Sequence, residues 1–190
     1  GNHNSLSHGI RMVDGNSMTE GEVLVYDDFL DPSSFELLQN TMMDNGKNSM
    51  AFPWLWSENP DRALHIYHLY HVFWHNDKVW THPDYWKIIK PLTKALNCKK
   101  IIKIRANLTT RTKDIEEFYM HTDVPSNFKS KTAIYYVNSN DGYTKFEGNK
   151  IESVANRMIV FDSNINHTGT TCTNTKRRLV INFNYYESSN

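Results

Sequence analysis

Arg177-Arg178-Leu179-Val180-Ile181-Asn182-Phe183-Asn184-Tyr185 alternates between two kinds of side chain. Successive residues of a strand point to opposite faces, so Arg178, Val180, Asn182 and Asn184 share one face and Arg177, Leu179, Ile181, Phe183 and Tyr185 the other. The large apolar set predicts a face packed on helices, and the mixed set predicts an interior lined by polar groups. Arg178 then points inward. A guanidinium there demands an anionic partner, since breaking a buried ion pair costs roughly 3–5 kcal/mol. A dicarboxylate meets the demand through bidentate hydrogen bonds. If the apolar face turned inward instead, Arg177 would take that role.

Working outward, six more short runs precede this one after Cys98: Lys100 to Leu108, Glu117 to Asp123, Lys131 to Val137, Tyr143 to Phe146, Lys150 to Val154 and Arg157 to Phe161. Seven strands at that spacing predict an antiparallel sandwich or barrel. Turn chemistry at Asn138 to Gly142 and Glu147-Gly148-Asn149 supplies hairpins. The N-terminal half reads differently. Glu22 to Tyr26 predicts a short strand, and Asp31-Pro32-Ser33-Ser34 caps a helix over Ser33 to about Met43. Asn45 to Trp80 reads as long loops with short strands around Leu64 to Phe73, and Pro83 starts a second helix that Pro91 should kink or break. The fold class is therefore mainly β, with two helices buttressing one antiparallel core.

The 190 residues suit one domain, taken as residues 21 to 190 behind a flexible leader at 1 to 20. Lys plus Arg balances Asp plus Glu at 21 each, so nucleic acid is not favoured as a partner. Only Cys98 and Cys172 are present, without a paired spacing, and no apolar run approaches the roughly 20 residues that span a bilayer. The cytoplasm is the expected compartment, that of the host cell if the chain is viral.

In Phe118-Tyr119-Met120-His121-Thr122-Asp123, His121 and Asp123 leave the same face of a strand, and the isolated His167 can join them from a distant one. Two imidazoles and one carboxylate on one side of a metal leave the other side open, which is the facial triad of non-haem ferrous oxygenases. A zinc hydrolase more often draws its ligands from a helical HExxH pair, and the chain has none. Iron is the better fit.

These residues resemble the 2-oxoglutarate and Fe(II)-dependent oxygenase superfamily, and within it the prolyl 4-hydroxylase-like branch. The similarity spans roughly residues 100 to 186. It rests on Tyr119 to Asp123, Thr132 to Asn138, Arg157 to Ser163 leading to His167, and Arg178 to Phe183. Val25 to Asp31 before a helix extends it to the N-terminal part. Ile134 to Gly142 and Val154 to Thr171 also look like small oxygenases of marine viruses and bacteria. The resemblance implies a double-stranded β-helix, or jelly roll, with His121, Asp123 and His167 as iron ligands and Arg178 on the distal carboxylate of 2-oxoglutarate. Tyr136 matches a tyrosine that assists that carboxylate in several members. Asn107 and Arg105 lie on a strand that, by the same likeness, faces the site and touches co-substrate or substrate. Dioxygen is the second co-substrate, with ascorbate as an accessory reductant. Asp123 argues against a halogenase, because halogenating relatives carry a small residue there. Where the branch has a Gly-Gly pair before its central strand, this chain has only Gly142.

The expected outcome is hydroxylation of an unactivated carbon in a peptidyl, including prolyl, or small-molecule substrate. Two rivals remain: a cupin-like metal enzyme without 2-oxoglutarate, and a catalytically silent jelly roll that binds a ligand. The aromatic-rich segment from Phe52 to Trp86 reads chiefly as helix packing, His65, His68, His71 and His75 as structural or surface residues, and Lys99, Lys100 and Lys103 as a solvated strand start.

Overall fold

The computed structural model describes residues 10–12, 22–43, 52–58, 65–123 and 129–187. Asp31 opens helix α1 (Pro32–Met43): its carboxylate accepts from the Ser34 amide at 3.0 Å and from both serine hydroxyls, and Pro32 occupies the first turn where its missing N–H is harmless. Helix α2 (Pro83–Ala95) starts the same way, with His82 accepting from the Asp84 amide. It continues through Pro91 as one helix, so of the expected kink or break the break does not occur. The buried faces of both helices, Leu38 and Met42 of α1 with Ile88, Ile89 and Leu92 of α2, cover one side of the main sheet.

In chain order the strands are β1 (Ile10–Met12), β2 (Val23–Tyr26), β3 (Leu55–Trp56), β4 (His68–His75), β5 (Lys78–Val79), β6 (Cys98–Thr110), β7 (Lys131–Tyr136), β8 (Tyr143–Phe146), β9 (Asn149–Glu152), β10 (Arg157–Asp162), β11 (His167–Thr168) and β12 (Arg177–Glu187). The main sheet runs β1-β2-β10-β7-β12-β6-β4-β3, with β5 on β4, and the small one runs β11-β8-β9. All pairings are antiparallel. This is a mainly β jelly roll with buttressing helices. β1 falls within the segment expected as a leader, and the rest of residues 1–20 lies outside the described residues, as do Asn45 to Met50.

Two cores follow from the parity of β12. Leu179, Ile181, Phe183 and Tyr185 join the helices, while Val180 joins Ile134, Tyr136, Ile159 and Phe161 of the main sheet against Phe146 and Ile151 of the small one. Burying such side chains contributes about 1.5–3 kcal/mol each, so the alternation fixes which face is interior. Glu117 to Asp123 forms no regular strand, only single bridges Glu117 to Thr170 and His121 to His167. The other runs appear with ends moved by a few residues, β4 most, at His68–His75 rather than around Leu64 to Phe73. No helix among the described residues is long and apolar enough to cross a membrane.

Candidate metal centre and its cavity

The bridge between His121 and His167 sets the centre at the open end of the small sheet. The two backbones exchange hydrogen bonds at 3.0 Å, which puts the imidazoles side by side with centroids 4.7 Å apart. Each Nδ1–H donates to a carbonyl two residues earlier, Tyr119 at 3.2 Å and Ile165 at 2.9 Å. A carbonyl only accepts, so each Nε2 is left as the lone-pair nitrogen. Both Nε2 atoms lie 3.3 Å from Asp123 Oδ1, and the three donor atoms fall within 4.8 Å of one another. His167 is buried, with Phe161 edge-on at 4.8 Å, whereas His121 is more than half exposed.

Asp123 is held from the other side. Its Oδ2 accepts from Thr132 Oγ1 and Asn184 Nδ2, each at 2.9 Å, and these two are joined by a further 2.9 Å bond. Burial alone would raise the carboxyl's pKa. The polar contacts with His121, His167 and Asn184 outweigh it and hold the group well below the usual carboxylate range, so it stays ionised. Two neutral imidazoles and one fixed carboxylate on one side of a point fit a divalent iron ion, and no fourth His, Cys, Asp or Glu joins the group among the described residues.

The triad opens into a cavity of about 880 Å³ whose floor is the ladder of β12 and β6. Arg178 lies across from Thr109 at one end of that ladder, and Asn184 across from Lys103 at the other. Arg178 is only 5% exposed. Its Nε donates to Ser153 Oγ at 3.0 Å and Nη2 to the Tyr143 carbonyl at 3.3 Å, and no carboxylate meets it among the described residues. Burial lowers the guanidinium's pKa, yet an arginine does not give up its proton, so the site retains a charge that lacks a counter-ion. Two glycines give it room. A Cβ on Gly142 would sit 2.6 Å from the Arg178 Cδ, and one on Gly169 3.3 Å from Nη1. The single Gly142 thus has a steric function of its own, as the passage for the arginine stem.

Arg177 leaves on the opposite face and donates to the Met43 carbonyl at the end of α1 at 2.6 Å. Tyr136 is fully buried and is not on the cavity wall. Its hydroxyl meets Thr144 Oγ1 at 2.6 Å, Thr144 lines the cavity, and the Arg178 guanidinium lies 5.8 Å from the Tyr136 ring. Asn107 does line it, with Oδ1 accepting from Arg105 Nε at 3.1 Å and His68 Nε2 at 2.9 Å.

Two of the lining residues are ones for which the sequence predicts another place. Lys103, expected to be solvated, is half-buried in the cavity wall, and His68 is buried on it. The signal was available as parity, because Lys103, Arg105, Asn107 and Thr109 alternate along β6 exactly as the mixed face of β12 does. The other histidines go elsewhere: His65 pairs with Glu116 at 2.7 Å, His71 bonds the Pro53 carbonyl and Thr81, and His75 is exposed beside Trp80.

No protein-family model and no curated protein sequence matches the chain. Solved structures do match by fold. One is a prolyl hydroxylase from Trichoplax adhaerens in complex with a hypoxia inducible factor peptide fragment, 12% identical, TM-score 0.58, covering 87% of this chain and 83% of that one. Another is the viral collagen prolyl hydroxylase of Paramecium Bursaria Chlorella virus-1 as its 2OG complex, 14% identical, TM-score 0.53, covering 87% and 96%. A third is the non-heme alpha ketoglutarate dependent epimerase SnoN from nogalamycin biosynthesis, 11% identical, TM-score 0.53, covering 87% and 77%. The chain has the fold of 2-oxoglutarate and Fe(II) oxygenases, a fold that these neighbours put to more than one reaction.

Proposed function

We propose that this protein is an Fe(II)- and 2-oxoglutarate-dependent dioxygenase that hydroxylates an unactivated carbon of a peptidyl or small-molecule substrate. The observation that supports it is the meeting, in one cavity, of a two-imidazole and one-carboxylate donor set with a buried arginine that has no carboxylate partner among the described residues. A metal hydrolase has no use for the arginine. A silent binding module has no use for the triad.

His121 and His167 would hold the ion through Nε2 and Asp123 through Oδ1. Such an ion supplies open positions for a 2-oxo acid and dioxygen, and the oxidation that turns the 2-oxo acid into succinate and carbon dioxide. The chain's own contribution is orientation. Thr132 and Asn184 fix the Asp123 carboxylate, and the Nδ1 bonds fix both imidazole tautomers. Phe161 and Phe146 pack beside His167 and keep water from that side. Arg178 would bind the distal carboxylate of 2-oxoglutarate, and Gly169 leaves the approach to its Nη1 open. Tyr136, whose phenol burial keeps protonated, acts one step back by orienting Thr144. The Asn107 carbonyl oxygen is engaged, which leaves its amide N–H groups for a cavity ligand.

Calorimetric titration of 2-oxoglutarate into Mn(II)-loaded protein tests this. Tight binding is expected in the wild type, with Arg178→Ala weaker by about a hundredfold or more, the cost of removing one partner of a buried charge pair. In air, with Fe(II) in place of Mn(II), the wild type should release succinate. Unchanged affinity in Arg178→Ala would overturn the role given to that residue, and no binding by the wild type would favour a cupin-like enzyme that does not use 2-oxoglutarate.

A further inference from the structure

Lys103 and Arg105 stand in one row on the cavity face of β6, opposite Asn184 and Asn182 of β12. Arg105 is held in place twice: its guanidinium carbon lies 4.1 Å from the centroid of the Tyr70 ring, and its Nε donates to Asn107. That leaves its two terminal nitrogens, which meet no acceptor among the described residues. Lys103 has no hydrogen-bond partner or ion pair among them either, although it is half-buried. Two like charges side by side and partly out of water repel; Asp123 attracts Lys103 from a distance, but no carboxylate contacts either cation among the described residues.

The carboxylates of the same cavity are committed elsewhere. Glu117 takes the Lys145 ammonium at 2.6 Å and the Tyr143 hydroxyl at 2.7 Å, Glu116 takes His65, and Asp123 belongs to the triad. On the oxygenase reading the co-substrate is not the missing anion. Arg178, at the far end of the ladder, would serve one of its carboxylates, and the ion held by the triad the other.

We infer that the substrate is a small anion whose carboxylate or phosphate oxygens are gripped by Lys103 and Arg105, an inference that rests on reading the cavity as an oxygenase site. Lys103 lies across from Asn184, the residue that holds Asp123, so the anionic group binds at the triad end of the floor and the reacting carbon lies within a few bonds of it. Glu116 and Glu117 line the same cavity nearer to solvent, where the backbone of a polyanion would meet two carboxylates. A compact anion passes them at less cost. Arg105 thus serves as the specificity-determining fork, and Lys103 as the second charge.

The test is ligand-observed NMR on Mg(II)- and 2-oxoglutarate-loaded protein. The probes are free L-amino acids each matched with its carboxamide, sugar phosphates each matched with the free sugar, and a single-stranded oligonucleotide. At least one small anion should bind about tenfold or more tightly than its neutral match, the worth of one charged hydrogen bond. That preference should vanish in Lys103→Met/Arg105→Gln and return in part in Lys103→Arg, with thermal melting confirming that each variant is folded. Which probe set responds tells a carboxylate from a phosphate. Equal binding of anions and neutral matches, no binding by any small anion, or binding of the oligonucleotide alone would overturn the inference. So would loss of 2-oxoglutarate affinity in the double variant, which would assign the pair to the co-substrate. Failure of the oxygenase reading itself looks different, because the wild type would then take up no 2-oxoglutarate at all.

Discussion

Asn184 shows how much of the centre depends on a residue that binds no metal. Its amide bonds both Asp123 Oδ2 and Thr132 Oγ1, so it fixes the carboxylate rotamer and helps to keep it ionised. Asn184→Ala is expected to lower Mn(II) affinity about 10- to 100-fold, measured by competition with a fluorescent chelator, because orienting partners of ligands typically carry that much. An unchanged affinity would mean that Thr132 alone suffices. At this scale the sequence was most informative where spacing carries direction. His121 and Asp123 were paired by their two-residue separation, and Arg178 was separated from Arg177 by the kind of neighbour on each face. Lys103 was misread because a lysine after Lys99 and Lys100 looks like part of a solvated run, when only the parity of β6 reveals its direction.

Between elements, Asn156 ties the loop before α1 to the main sheet. It sits at φ 63°, in the left-handed region that asparagine tolerates, and its side chain accepts from the Leu30 amide at 3.0 Å and the Tyr135 hydroxyl at 2.7 Å while donating to the Leu30 carbonyl at 2.9 Å. Asn156→Ala should destabilise the fold by about 2–4 kcal/mol in urea denaturation, through three buried groups that lose this partner, with metal affinity preserved. The α1 cap predicts an acid response. The hydrogen bonds from Ser34 and Ser33 lower the Asp31 pKa from the usual 3.8 to about 2. A depressed carboxyl contributes stability that is fully present above its unfolded pKa and lost as pH falls through the folded one. The melting-temperature gap between wild type and Asp31→Ala should therefore be full above pH 4 and close toward pH 2, and a gap independent of pH would contradict the cap. Element boundaries were less legible than element types. Glu117 to Asp123 has the composition of a strand, yet among the described residues its partner in the small sheet is the two-residue β11, which offers too short a ladder. Pro91 did not break α2, whose buried Ile88, Ile89 and Leu92 hold both sides of it against the core.

Across the whole molecule, the jelly roll brings together side chains from β6, β12, β11 and the segment before β7, so the site forms only when both sheets are in register. Ligands that bind this assembled cavity should stabilise the entire fold. Mn(II) with 2-oxoglutarate at a hundred times its Kd is expected to add about 2.7 kcal/mol, a rise in Tm of roughly 5–10 °C by scanning calorimetry, and no shift would mean that the cavity does not take them. The fold class could be read from seven short runs and their turns. The pairing of β12 between β6 and β7 could not, since long-range neighbours leave no mark in local pattern. The most direct test of the proposed centre is the visible absorption of Fe(II)-loaded protein when 2-oxoglutarate is added without oxygen. A charge-transfer band should appear in the wild type and be absent in Asp123→Ala and His167→Ala. No band in the wild type, or the same band in either variant, would contradict a centre built from His121, Asp123 and His167.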